Sequence, residues 1–241
     1  MLSILSWQVC PTIASAQDIP DIPGIPGIKD GFVKIQSALS KDQLSKIEQG
    51  QLIQQSKSIQ GAAWPQVIIY GKIKASPLQS IAIYLALDHQ KAYVPGLLKS
   101  QVIEQLSATK VLTKYELDLP FPIPNAHYTH GSDFKKLPAD LGYQAKWWMV
   151  KSSSTKFVAG EMAFFKNADQ TFFVYKNFVK PKSFFARFLK GSMLKDTLFT
   201  IQTIRSYIEE CVKSKPKLLK KYVNYIQQSL AGKFVYTPKK K

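Results

Sequence analysis

Glu161 is the residue whose setting is most at odds with its charge. It stands inside Phe157-Val-Ala-Gly-Glu-Met-Ala-Phe-Phe165, a run with no other polar side chain. A carboxylate in such company is costly to bury unless it is protonated or paired. Facing a cavity, it is a polar handle that orients an apolar molecule through a hydroxyl or amine. Turned out by a bulge, or paired with a nearby lysine, it is an ordinary surface carboxylate, and the residues alone leave both readings open. The other candidates for chemistry are few. The three histidines, His89, His127 and His130, and the two cysteines, Cys10 and Cys211, show no metal-ligand spacing, so neither a metal nor another cofactor is expected. His127 and His130 on one strand point to opposite faces, because strand side chains alternate. There is no readable nucleophile, base and acid trio, no Gly-x-Ser-x-Gly and no phosphate loop, so no catalytic residue is assigned.

Strand periodicity suggests what surrounds Glu161. Six strand-like runs follow one another near residues 97–107, 110–119, 126–135, 143–151, 156–166 and 171–180, spaced by short turns as in antiparallel sheets. In three of them the lysines fall on even numbers (Lys146; Lys156 and Lys166; Lys176 and Lys180), which sends the odd residues inward. The inward set includes Trp147, Phe157, Glu161, Phe173, Tyr175 and Asn177, joined by Tyr115 from Val111–Leu119. A strand over Val67–Ile73 and a helix opened by Ser76-Pro77 precede these runs. A long helix over Ser183–Val212 follows them, with Leu194, Leu198, Ile201, Ile204 and Ile208 on one stripe. A basic amphipathic helix over Lys217–Leu230 closes the chain, after Pro216.

The 241 residues are 45% hydrophobic and 20% charged, which excludes a wholly disordered chain and suits one main domain with extensions. Residues 1–16 resemble an export signal ending in Ala14-Ser15-Ala16, though no basic residue precedes the apolar part; export to the periplasm or outside is expected, with a cytoplasmic protein as the alternative. Residues 17–61 hold a tether with Ile-Pro repeats and a short amphipathic helix capped by Ser40. The main domain spans 62–213, and 214–241 forms a basic C-terminal extension. The net charge is +17, and from Lys180 onward 15 Lys and Arg face three acidic residues. Such a surface favours anionic partners, lipid headgroups or nucleic acid. The aromatic residues share the inward parity and are not interleaved with lysines, so nucleic acid is not the expected partner.

The order strand, helix, six antiparallel strands, long helix resembles the helix-grip fold of the START-like (SRPBCC) superfamily, bacterial START and polyketide-cyclase members in particular. Trp64-Pro65, Tyr93-Val94-Pro95-Gly96-Leu97, Leu119-Pro-Phe-Pro-Ile-Pro-Asn125 with Tyr128, and Val174-Tyr-Lys-Asn-Phe178 carry the resemblance, over roughly residues 62–212. It implies an α+β fold, a curved seven-stranded antiparallel sheet wrapped around the C-terminal helix. It also implies an apolar cavity between them, lined by Tyr115, Trp147, Phe157, Glu161, Phe173, Tyr175, Asn177, Leu194 and Leu198. The apolar loops holding Tyr93, Pro95, Leu97, Phe121 and Ile123 are then its entrance, able to touch an anionic membrane. The expectation is a non-enzymatic carrier or sensor of a lipid, sterol-like or quinone-like molecule. The alternative is an aromatase or cyclase using Glu161, Tyr175 or His127 as acid or base.

Overall fold

The computed structural model describes residues 35–119, 124–182 and 188–236. The expected export signal and Ile-Pro tether, and the entrance residues Phe121 and Ile123, lie outside them.

Side chains mark where the helices begin. Ser40 Oγ accepts from the Gln43 amide at 3.1 Å while Gln43 Oε1 accepts from the Ser40 amide at 3.0 Å, and this reciprocal cap opens α1 (Lys41–Glu48). Ser76 and Gln79 repeat the device at 3.3 and 2.9 Å, with Pro77 in the first turn, to open α2 (Pro77–Tyr84). Pro216 separates α3 (Lys190–Ser214) from α4 (Pro216–Leu230), because its ring suits a first helical turn and cannot continue a preceding one.

Eight strands form one antiparallel sheet: β1 (Ile53–Lys57), β2 (Gln66–Ile73), β3 (Leu97–Gln105), β4 (Val111–Leu117), β5 (Ala126–Lys136), β6 (Gly142–Ser152), β7 (Thr155–Asn167) and β8 (Gln170–Pro181). Their order is β1-β2-β8-β7-β6-β5-β4-β3, so the first hairpin joins the last strand and the helices are gripped by the curved layer. The expected helix-grip architecture is present, with one strand more than the seven read from the sequence. The addition is β1, because α1 stops at Glu48 and Gly50, at φ 85°, turns the chain along β2; the sequence reading placed only a tether and a short helix before residue 62.

Each face of the sheet buries its own core. On the concave face, Ile69, Ile73, Ala145, Met162, Phe164 and Phe173 pack against Ile81 of α2 and Ile201, Ile204 and Ile208 of α3. On the convex face Ile35, Leu39 and Ile47 cover Tyr70, Phe165, Phe172 and Val174. The segment expected as a basic extension is built into the fold: α4 packs on α2 and buries Leu219, Tyr222 and Ile226. Beyond it, Gln105 Oε1 accepts from the amides of Val235 and Tyr236 at 3.0 and 2.8 Å, and the Tyr236 hydroxyl donates to the Leu85 carbonyl at 2.9 Å.

One glycine decides how the concave face is floored. Trp147 on β6 lies across β7 at Gly160 and reaches Asn177 on β8, the strand partner of Gly160. A Cβ on Gly160 would stand 2.2 Å from Trp147 Cζ2 and 2.7 Å from the Lys176 carbonyl oxygen. Because one of those contacts is backbone, the strain cannot be relieved by a rotamer change alone. Gly160→Ala is therefore expected to lower unfolding free energy by about 2–3 kcal/mol, read from urea denaturation, and to shift the Trp147 emission.

Candidate functional site

The inward-facing side chains of the concave core are buried at one end and half-exposed at the other. The C-terminal half of α3 buries Ile201, Ile204, Ile208 and Cys211, whereas Met193, Leu194, Thr197 and Leu198 in its N-terminal half keep exposed surface on the inward stripe. The sheet shows the same division. Phe134, Ala145, Met162, Phe164 and Phe173 are buried, but further along the same face Tyr128, His130, Trp147, Met149, Tyr175 and Asn177 are only half-buried. Tyr84, at the end of α2, completes this wall, with its ring 6.1 Å from that of Trp147 and 5.6 Å from that of Phe164. These half-exposed side chains outline a solvent-accessible hollow on the concave face, the candidate site. Gln54 of β1 holds the N-terminal half of α3, donating to the Leu194 carbonyl at 2.9 Å.

The lining is aromatic, and its polar groups are neutral. Trp147 stacks on Tyr175 at 5.5 Å, and its indole N–H donates to Asn177 Oδ1 at 3.2 Å. Tyr128 stacks on Tyr115 at 5.2 Å and packs beside His130 at 4.6 Å. Desolvation pushes the Tyr128 hydroxyl up to about 12 and holds the His130 imidazole down to about 4, so both are uncharged at neutral pH. Desolvation likewise raises Tyr84 and Tyr175, with a smaller contribution to Tyr84 from Tyr175 and to Tyr175 from Tyr128, which places these phenols within electrostatic reach of one another. Among the described residues no cluster of three or more His, Cys, Asp or Glu could hold a metal ion.

No known family profile and no curated protein sequence matches this chain. Solved structures do resemble it. The STAR-related lipid transfer protein of Xanthomonas axonopodis aligns with a TM-score of 0.59 at 12% identity, covering 65% of this chain and 93% of that one. Human STARD10 aligns at 0.63 and 11%, covering 74% and 78%. The Zhui aromatase/cyclase of a Streptomyces species aligns at 0.53 and 12%, covering 62% and 96%. This chain has the START-like helix-grip fold.

Within that START-like fold the residues singled out from sequence scatter. Trp147, Tyr175, Asn177, Leu194 and Leu198 line the hollow. Tyr115 faces it but is buried, its hydroxyl donating to Gln90 Oε1 at 2.8 Å, and Phe173 is a fully buried core residue. Phe157 and Glu161 do not face it: β7 reads with even residues inward, since Met162 pairs with Tyr175 and Phe164 with Phe173. Its lysines sit at the strand ends, where either face meets water, and its middle is covered on both sides, so alternation carries no signal there. Glu161 instead lies on the convex face, accepting from Gln144 Nε2 at 2.7 Å and 3.8 Å from Lys176 Nζ, while Phe157 packs against Phe178. The expected entrance loop is bolted down. Tyr93 donates to the Ile83 carbonyl at 2.6 Å and stacks on Tyr207 at 4.6 Å, Leu97 is buried, and Pro95 is half-buried between them. His127 is exposed on the outer face, and the histidine inside is His130. Parity along β5 could have found it, since Tyr128, His130, Ser132 and Phe134 alternate with His127, Thr129, Asp133 and Lys135.

Two outcomes follow from these placements. Because His130 binds its proton more weakly in the folded chain than in the unfolded one, its contribution to stability is complete above about pH 6.5 and is lost as pH falls towards 4. The loss amounts to at most about 3 kcal/mol, and His130→Gln should flatten it; urea midpoints of both proteins at pH 7 and pH 4.5 measure the difference. Glu161→Gln removes the carboxylate beside the buried Lys176 and should cost about 1–3 kcal/mol of stability, while leaving affinity for any ligand of the hollow unchanged in a titration.

Proposed function

We propose that this protein binds a hydrophobic small molecule in the hollow between the N-terminal half of α3 and strands β5 to β8, and exchanges it at a membrane surface. The observation that carries the reading is the half-exposed end of an otherwise buried concave face, walled by aromatic and aliphatic side chains. A concave, mostly apolar surface with a few polar groups is the usual setting of a small-molecule site. Two of the structural neighbours bear the names of lipid transfer proteins, the Xanthomonas protein and the human StAR-related lipid transfer protein 5, and the support is of the same kind.

The lip of the hollow supports the membrane part. Phe188, Leu189 and Phe199 at the start of α3 are 70%, 46% and 59% exposed, and Lys182, Lys190 and Lys195 stand among them. Apolar side chains flanked by lysines suit the interface of an anionic bilayer, each lysine contributing about 1 kcal/mol.

One neighbour is an aromatase/cyclase, but acid–base work of that kind is poorly served here. A useful proton-transfer group has a pKa near the working pH, and the His130 imidazole at about 4 and the Tyr128 hydroxyl at about 12 have been moved away from it in opposite directions. The reading is therefore a carrier or sensor and not a catalyst.

Native mass spectrometry of the purified protein, followed by solvent extraction, is expected to show a bound apolar molecule. Leu198→Trp, which fills the hollow from the helix side, should abolish that adduct while the protein stays folded. A wild-type protein that emerges empty and takes up nothing from a lipid panel would defeat the reading. In flotation assays the protein should rise with vesicles containing about one-third phosphatidylserine and not with pure phosphatidylcholine, and Phe188→Asp together with Lys190→Glu should reduce the effect.

A further inference from the structure

The hydrogen-bonding groups that face the hollow are largely without protein partners. The hydroxyls of Tyr84, Tyr128 and Tyr175 and both ring nitrogens of His130 make no hydrogen bond to any other group of the described protein, and Asn177 uses only its carbonyl oxygen, on Trp147. Elsewhere in the same interior several tyrosines and His89 are paired, although Thr113 Oγ1, fully buried beside His130, is not. Tyr93 donates to the Ile83 carbonyl, Tyr115 to Gln90, Tyr222 to Asp88, Tyr236 to the Leu85 carbonyl, and His89 shares a hydrogen bond with Tyr207. None of the atoms of this set is fully cut off from solvent, so a molecule entering the hollow would displace water from them and take its place as their hydrogen-bond partner. Every member of the set is uncharged, and none of the described side chains lining the hollow carries a charge.

We propose that the ligand is an apolar molecule bearing an uncharged hydroxyl or carbonyl group, which is received by Tyr84, Tyr128, His130, Tyr175 and the Asn177 amide. The inference rests on the proposed binding function and specifies its ligand. A neutral imidazole offers one donor and one acceptor, a phenol can serve as either, and the Asn177 amide donates, so both a hydroxyl and a carbonyl oxygen find complements. A carboxylate, phosphate or ammonium group finds no counter-charge there and would surrender its hydration for neutral partners.

The test uses matched probes at pH 7.4: 1-dodecanol, dodecanoate and dodecylammonium, with cholesterol and cholesteryl sulfate as a second, rigid pair, each titrated against the full chain. At least one neutral probe is expected to bind ten-fold or more tightly than its charged counterparts. Tyr128→Phe should weaken binding of that neutral probe about five-fold while leaving the urea midpoint unchanged or higher, because the hydroxyl it removes has no protein partner. A purely structural hydroxyl would show the opposite pattern, a lower midpoint with unchanged affinity. Charged probes binding within two-fold of the neutral ones, or an unaltered affinity in Tyr128→Phe, would overturn the assignment and leave the binding function standing. Failure of all five probes to bind would overturn both.

Discussion

The site depends on the length of one short helix. α2 is the wedge that fills the concave side of the sheet, touching β6, β7 and β8 and packing against both α3 and α4. It has eight residues, and at 1.5 Å per residue it reaches only about 12 Å. Its first turns are fixed over the β7–β8 end, where Ser80 meets Thr171 and Thr171 in turn bonds the Ala75 carbonyl at 2.8 Å. Its last residue is Tyr84, and the chain beyond it turns aside, meeting Tyr115 of β4 through Gln90 and Tyr207 of α3 through His89 and Tyr93. The long helix cannot fill the hollow, because its packed half is held to β2, α2 and α4 by Ile201, Ile204, Ile208 and Cys211 and a helix of this length is stiff. The half-exposed part of the concave face thus lies past the end of α2, beside the N-terminal half of α3 and away from its packed half.

The floor of that space is set by a second constraint, the seat of Trp147. An indole needs a flat place to lie if it is not to occupy the volume above it, and Gly160 supplies one by having no side chain beneath the ring. With Trp147 laid across β7 and stacked on Tyr175, the floor is a broad aromatic surface and the volume above stays open. The same arrangement recurs on the other face, where Trp148 covers Gly131 and Lys110 stands 5.9 Å from the ring. There the surface is solvent-facing and no hollow results. The tryptophan–glycine pair is therefore a device for covering a strand, and it shapes the candidate site only because nothing fills the space above it.

Much of this was legible in the residues. Strand boundaries came within two residues in most of the sheet because polar turn residues interrupt the runs, as at Ser153-Ser154 and Ala168-Asp169, and the helix starts were spelled out by Ser40, Ser76 and the prolines. Tryptophan, tyrosine and asparagine positions on β6 and β8 were found by counting from Lys146, Lys176 and Lys180, all on the convex side although Lys176 is buried there. The same counting failed on β7, where residues 158–165 are buried apart from the half-buried Glu161 and the lysines mark ends and not faces. Glu161 misled for that reason: its pairing with Lys176 and Gln144 lies across strands whose register the sequence does not print. The burial of Tyr93 and Leu97 was hidden too, since it depends on Tyr207 of α3, more than a hundred residues away.

Selectivity in such a site cannot come from apolar contact alone. A lipid already resting in a bilayer has its tail in hydrocarbon, so moving it into a protein hollow brings little of the roughly 25 cal/mol per Å² that removal from water would supply. What differs between bilayer and hollow is the treatment of the polar group. At the bilayer surface a charged head keeps water and counter-ions, and it would lose both on entering a space lined by phenols, an amide and a neutral imidazole. A hydroxyl or carbonyl loses less and regains it from partners already held in place, at about 1 kcal/mol for each hydrogen bond formed. Two or three such bonds are enough to draw one neutral lipid out of a membrane in preference to its charged neighbours, and weak enough to let it return. Under the proposed function the lysines around the lip would act on the membrane and not on the ligand, since they lie outside the hollow, whose described lining carries no charge.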